Sequence, residues 1–310
     1  MNYSWSGSVR SALKLCSARR RYKVIGKETG EESAVTIREF DKGKLIYRQN
    51  RWTRATHWTW AFCLFFLLMS GLQIFNAHPA LYIGKESGFA YNNTVLSISS
   101  VEEAGKAKGV TTVFGTDFDT TGVFGVSGTT EKPQYRAFPA ALTIPSYYDL
   151  GTGRVIHFFF AWLLVFTLLV WGAAGLWNGH IRRDLAISGS DLKTLPKDIA
   201  DHARLRFHHN GRYNVLQKLA YGGVLFVLFP AIIITGLAMS PGFNAAMPWL
   251  NDLLGGRQTA RTIHFFAMFL LVAFFFIHMA MILAAGPVNE LRSIITGWYR
   301  TDPVSKEGNN

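Results

Sequence analysis

Four histidines stand inside or at the mouth of long apolar runs: His57, His157, His264 and His278. His264 and His278 share one uncharged run, Thr262 to Ala285, and lie fourteen residues apart. At 3.6 residues per turn, that spacing is close to four full turns, so both imidazoles occupy nearly one helix face. They are separated by about 21 Å along the axis, most of the thickness of a bilayer core. Two ionisable rings on one face, one near each side, point to two stacked cofactors. Two imidazoles facing each other across a helical bundle suit six-coordinate haem iron with both axial positions filled by neutral imidazole. Such iron has no open position and carries electrons instead of binding O2. Zinc calls for tighter ligand clusters with Cys, Asp or Glu, and the apolar runs contain no acidic residue.

The elements that must position these rings are four runs, Ala55–Phe75, Val155–Trp177, Leu219–Met239 and Thr262–Ala285, each free of Lys, Arg, Asp and Glu. Each is long enough to span a bilayer as a helix. A soluble fold would have to bury four such helices in one small chain. The expected fold class is therefore an all-α membrane protein, a bundle of four transmembrane helices holding two b haems. The expected division is a basic N-terminal segment (1–50), a first transmembrane helix (51–76), a long insert (77–153) and a second helix (154–177). A loop (178–211), a third helix (212–240), a short loop (241–259), a fourth helix (260–285) and a tail (286–310) follow.

The net charge of +12 is unevenly placed. Residues 1–54 carry 13 Lys/Arg and the 178–218 connection carries 8, whereas the 77–153 insert has 5 Lys/Arg against 7 Asp/Glu. The basic side faces the cytoplasm, which places both termini inside, the 77–153 insert in the periplasm and the chain in the inner membrane. The basicity thus reads as topology and attraction to anionic lipid, with no nucleic-acid partner implied. Cys16 in the tail and Cys63 in the first span are not expected to pair. The absence of C-x-x-C-H excludes covalent c-type haem.

Topology decides which histidines can meet. His57 falls near the cytoplasmic end of the first helix and His278 near the same end of the fourth, while His157 and His264 fall near the outer end. The expected iron ligands are His57 with His278 on an inner haem, and His157 with His264 on an outer haem. Arg54-Ala55-Thr56-His57, Arg154-Val155-Ile156-His157 and Arg261-Thr262-Ile263-His264 repeat one R-x-x-H spacing. An arginine three residues before a histidine lies one turn outward on the same side, within reach of a haem propionate. A cation in the first helical turn opposes the macrodipole, so Arg54, Arg154 and Arg261 call for an anion. Snorkelling to the interface is the alternative. Gly71, Gly172, Gly175 and Gly236 allow a flat macrocycle or another helix to approach closely. His78, His180, His202, His208 and His209 lie in connections and read as surface residues. Pro230 should kink the third helix. Val110–Thr130 reads as short hairpins over coil within a loop that suits partner docking or a lid. Ile294 to Arg300 reads as an interfacial segment.

These residues resemble the four-helix di-haem cytochrome b family, which includes formate dehydrogenase gamma subunits and the b-type subunits of nickel–iron hydrogenases. The resemblance rests on Arg54–Trp58, Arg154–His157, Arg212-Tyr213-Asn214-Val215-Leu216-Gln217-Lys218 and the His264/His278 spacing. It implies an outer haem near a periplasmic redox subunit and an inner haem next to a quinone, with Asn214 and Gln217 beside that quinone and His278 close by. The implied partner is a molybdenum oxidoreductase, a hydrogenase, an iron–sulfur subunit or a c-type cytochrome. The implied role is an electron-transfer subunit of a respiratory oxidoreductase complex, relaying electrons between that partner and the quinone pool. A non-redox membrane anchor or assembly subunit on the same scaffold and a proton-relay transporter are the alternatives. The long insert departs from the family core.

Overall fold

The computed structural model describes residues 45–129, 131–177, 179, 181, 185–204 and 215–301. The N-terminal segment through residue 44, residues 130, 178, 180, 182–184 and 205–214, and the tail after residue 301 lie outside them.

Four helical stretches are long and apolar enough to cross a membrane: Arg51–Asn76, Leu150–Trp177, Val215–Met239 and Arg257–Ala285, with mean hydropathy of 1.7, 2.2, 2.3 and 2.6. The first, α1 (Arg51–Asn76), starts where Asn50 accepts a hydrogen bond from the Thr53 backbone N–H at 2.7 Å. The second, α2 (Leu150–Trp177), starts where Asp149 accepts from Thr152 N–H at 2.9 Å. Each side chain satisfies a donor that the first turn leaves free. Both helices leave large apolar side chains such as Phe65, Phe159, Phe166 and Leu169 exposed, a pattern that is stable only against lipid.

After α3 (Gly189–Ala203) the third span is built in three pieces, α4 (Val215–Gly223), a π-helical turn (Val224–Leu228) and α5 (Phe229–Met239). Pro230 has no N–H to give, and the expected disturbance takes the form of this wider turn, in which Phe229 N–H reaches back to the Val224 carbonyl. Two short helices, α6 (Pro241–Ala246) and α7 (Trp249–Leu253), lead to α8 (Arg257–Ala285). The residues after α8 form α9 (Pro287–Thr296) and a strand, Trp298–Arg300, which pairs antiparallel with Leu45–Tyr47. The segment expected merely to lie at the interface is thus half of a small sheet closing that end of the bundle. Tyr299 is buried in it, with the Arg48 guanidinium 4.6 Å from its ring centre.

The all-α description covers the spans but not the connection between α1 and α2. With Leu45–Tyr47 as β1 and Trp298–Arg300 as β8, the insert supplies β2 (Ala80–Tyr82), β3 (Thr94–Glu103), β4 (Lys106–Val113) and β5 (Thr116–Asp119), an antiparallel sheet in that order. A hairpin, β6 (Gly125–Thr129) and β7 (Lys132–Arg136), follows. The Thr-, Val- and Ser-rich stretches supply strand-forming residues. Ala104-Gly105 and Phe114-Gly115, all at positive φ, make the two-residue turns whose twist suits hairpins. The insert is more strand and less coil than its composition implied, because each strand finds a neighbour for its backbone groups.

Its core, Leu81, Ile98, Ala137 and Phe138, closes over Phe75 of α1 and packs against Leu72 and Phe265. The insert is therefore seated on the ends of α1 and α8 that carry Ser70 and His264. Asn76 clamps it, accepting from Phe138 N–H at 2.8 Å and donating to the Phe138 carbonyl at 3.3 Å. Where the hairpin crosses the sheet the backbones nearly touch: a Cβ on Gly125 (φ +78°) would lie 2.3 Å from the Ser99 carbonyl oxygen. Gly125→Ala should therefore destabilise the insert by about 2 kcal/mol or more, read as a drop in the melting temperature of the purified protein. A melting curve matching the native one would contradict this close packing.

Candidate functional site

The four span histidines come together as two pairs. His57 of α1 and His278 of α8 have ring centres 6.5 Å apart with planes inclined by 52°. His157 of α2 and His264 of α8 have ring centres 6.4 Å apart, inclined by 56°. A metal–imidazole bond of about 2 Å, plus roughly 1.1 Å from ring nitrogen to ring centre, separates the centres of two axial imidazoles by about 6.2 Å. Both pairs match this spacing. Rings in direct contact or joined by a hydrogen bond need no such gap.

The His157/His264 pair shows how its rings are aimed. His157 Nδ1 lies 3.1 Å from Ser70 Oγ, and His264 Nδ1 lies 3.1 Å from Thr235 Oγ1. Each hydroxyl proton is already committed one turn back along its own helix: Ser70 donates to the Phe66 carbonyl at 2.6 Å and Thr235 to the Ala231 carbonyl at 2.6 Å. A hydroxyl has one proton to give, so toward the imidazole it must accept. Both rings therefore carry hydrogen on Nδ1 and keep Nε2 bare, the tautomer a metal requires. Beside each hydroxyl sits a glycine. A Cβ on Gly71 would meet His157 Cε1 at 3.3 Å, and one on Gly236 would meet His264 Cε1 at 3.3 Å. The two glycines hold the imidazoles against the neighbouring helix.

Sequence reasoning weighed Gly71 and Gly236 only as spacers and missed Ser70 and Thr235. The signal was present as an internal repeat, Ser70-Gly71-Leu72 and Thr235-Gly236-Leu237, which faces a second one, Ile156-His157-Phe158-Phe159 and Ile263-His264-Phe265-Phe266, on the partner helices. In the other pair, Phe274 stacks flat on His278, with ring centres 5.6 Å apart and planes 13° apart. His57 Nδ1 is buried without a hydrogen-bond partner.

Arg54, Arg154 and Arg261 find no carboxylate partner among the described residues. Arg54 donates to the Ile295 carbonyl at 2.5 Å, and its Nε is buried and unpaired. Arg261 donates to the His78 carbonyl and lies 5.6 Å from the Phe75 ring centre. Arg154 is exposed, with its guanidinium 5.8 Å from the Phe158 ring centre. All three retain the capacity for an anion. His78 stacks on Tyr82, and partial burial, with Arg261 beside it, holds its imidazole below the ordinary histidine range. Gln217 lies partly buried in the first turn of α4, next to Lys218, whose ammonium is 3.0 Å from Asp191. Asn214, Arg212, Tyr213, His180, His208 and His209 are outside the described residues.

Apolar helices able to cross a membrane, and imidazole pairs spaced for axial ligation, define a b-type membrane cytochrome. The chain matches the prokaryotic cytochrome b561 family over residues 48–297 and belongs to that family. It is therefore a multi-pass membrane protein of the electron-transfer class, with b-type haem as the family's cofactor, and the resemblance read from the sequence is borne out. It is also 25% identical, over 74% of its own length and 87% of the relative's, to a putative protein-methionine-sulfoxide reductase subunit YedZ1 of Azospira oryzae. No solved structure matches it significantly.

The hydroxyl contacts generate a direct test. Thr235→Val keeps the shape but removes the acceptor, leaving the His264 N–H unpaired in an apolar setting. A haem ligated through His264 would then be retained about 10- to 100-fold less tightly, measured as haem content across a haem-titration series. Unaltered retention would show that Thr235 does not orient the ring.

Proposed function

We propose that this chain is a di-haem cytochrome b subunit that relays electrons across the bacterial inner membrane, between a periplasmic oxidoreductase and the quinone pool. The observation that carries the reading is the pair of ring separations, 6.5 Å and 6.4 Å, at two levels of one bundle. It supports a reading in which His57 with His278 would hold one haem iron and His157 with His264 a second. Each iron, when bound, supplies a one-electron carrier with no open position.

The chain's own residues do the rest. Ser70 and Thr235 hold the outer imidazoles in the ligating tautomer, and Phe274 orients His278. Arg54 faces the inner haem's propionates, and Arg154 and Arg261 those of the outer haem. α8 contributes one ligand to each level and so fixes the spacing between carriers. The basic termini and the 178–211 loop lie in the cytoplasm and the 77–153 insert in the periplasm, as the charge distribution supports. The insert then presents the outer haem to a soluble redox subunit, and the name of the YedZ1 relative, a reductase subunit, supports such a complex. The partner is of one of four classes: a molybdenum oxidoreductase, a hydrogenase, an iron–sulfur subunit or a c-type cytochrome. Gln217, in the first turn of α4, and Asn214, three residues before it in the sequence, are the residues that the family resemblance puts beside a quinone near the inner haem.

The purified chain should contain two b haems, counted by reduced-minus-oxidised spectra against protein mass. His157→Ala should remove the outer haem, and His278→Ala should remove the inner haem together with quinol-driven reduction of the remaining one. One haem per native chain, or a haem content indifferent to both substitutions, would overturn the assignment.

A further inference from the structure

Arg136, at the end of β7, is the most deeply buried cation among the described residues, at 7% exposure. Its guanidinium donates to the Ser146 carbonyl at 2.7 Å, to Gln73 Oε1 at 2.6 Å and to Thr143 Oγ1 at 3.0 Å. It lies 4.8 Å from the Tyr148 ring centre, and its Nε has no partner. Every acceptor is neutral, and no carboxylate pairs with it among the described residues. Burial pushes its pKa down from the ordinary arginine value, with Tyr148 opposing; a guanidinium nonetheless stays charged in a protein. A largely buried cation held by neutral acceptors alone costs more to keep than a polar neutral side chain would.

Its position gives the charge a use. Gln73, which it grips, is 2% exposed and lies one turn, about 4.5 Å of rise, from Ser70 on α1. Ser70 holds His157 Nδ1, and a Cβ on Gly153, one turn before His157 on α2, would meet Gln73 Cγ at 3.1 Å. The guanidinium thus meets the α1/α2 seam through Gln73, about one helical turn beyond the Ser70–His157 contact, at the edge of a cleft lined by Tyr135, Tyr147 and Tyr148.

We infer that Arg136 is a fixed positive charge that raises the outer haem's reduction potential, brought to the helix seam by the insert. Reduction removes one positive charge from the iron. A nearby cation therefore favours Fe(II) over Fe(III), and low local polarisability strengthens the effect. Arg136 is a positioning and tuning residue: it touches Gln73, not the iron ligands. The inference rests on the outer haem's ligation by His157 and His264.

The test is a potentiometric titration of the full-length protein in detergent or nanodiscs, with the outer-haem component assigned by its loss in His157→Ala. Arg136→Gln removes the charge. Gln73→Glu keeps the arginine and its contact with residue 73, gives up the donation to the Tyr147 carbonyl, and sets a carboxylate on the guanidinium, which guards against a misfolded Arg136 variant. Both should lower the outer-haem potential by at least the equivalent of a fivefold change in the Fe(III)/Fe(II) ratio, about 40 mV at 59 mV per tenfold for one electron. Arg136→Lys, which keeps the charge, should stay near the native potential. The inner haem should not move in any variant. If the outer potential is unchanged in Gln73→Glu and in any Arg136→Gln that folds, with both haems bound, Arg136 is a clamp and nothing more. Absence of an outer haem from the native chain would instead sink the ligand assignment beneath it.

Discussion

An imidazole can ligate a metal only through a nitrogen whose lone pair is free, and in a membrane interior no water is present to take up the proton on the other nitrogen. That constraint organises this bundle. Ser70 and Thr235 answer it: each spends its own proton on a carbonyl of its helix and so can only accept from the ring. A glycine beside each hydroxyl lets the ring approach. The same device thus occurs twice, once between α1 and α2 and once between α5 and α8, and it brings His157 and His264 face to face.

The insert belongs to this arrangement. Its apolar core is shared with Phe75 and Phe265 at the ends of two spans, and Asn76 and Gln73 of α1 bind its backbone. A soluble-looking β-structure is thereby made part of the bundle's end, within reach of the histidine pair beneath it. Small strained positions, such as Gly125 where two backbones cross, allow it to be compact enough for that role.

Much of this was legible in the chain. Lipid demands long uninterrupted apolar helices, so the spans announce themselves. The fourteen-residue spacing of His264 and His278, combined with alternating helix direction, was enough to pair His57 with His278 and His157 with His264. Two further features were legible in part. Pro230 marked a disturbance without revealing that it would be a π turn. Val110–Thr130 read as hairpins without showing that β2 and β3 would join them in one sheet, because strand partners distant in the chain leave no periodic trace. The Ser-Gly-Leu and Thr-Gly-Leu repeat was visible but mute, since a serine or threonine in a membrane helix is common and its contact depends on the facing helix.

The sequence by itself determined the spans, the depth of each histidine and the repeated arginines, because helix periodicity and the hydrophobic requirement of a bilayer act along the chain. Tertiary structure alone decided the ring separations, the tautomer imposed by Ser70 and Thr235, and the burial of Arg136 against Gln73 with no acidic partner among the described residues. Those depend on groups that are 63 to 87 residues apart in the chain, or joined across two different helices. Hydrogen-bond geometry and desolvation are properties of the assembled neighbours, which no local pattern encodes.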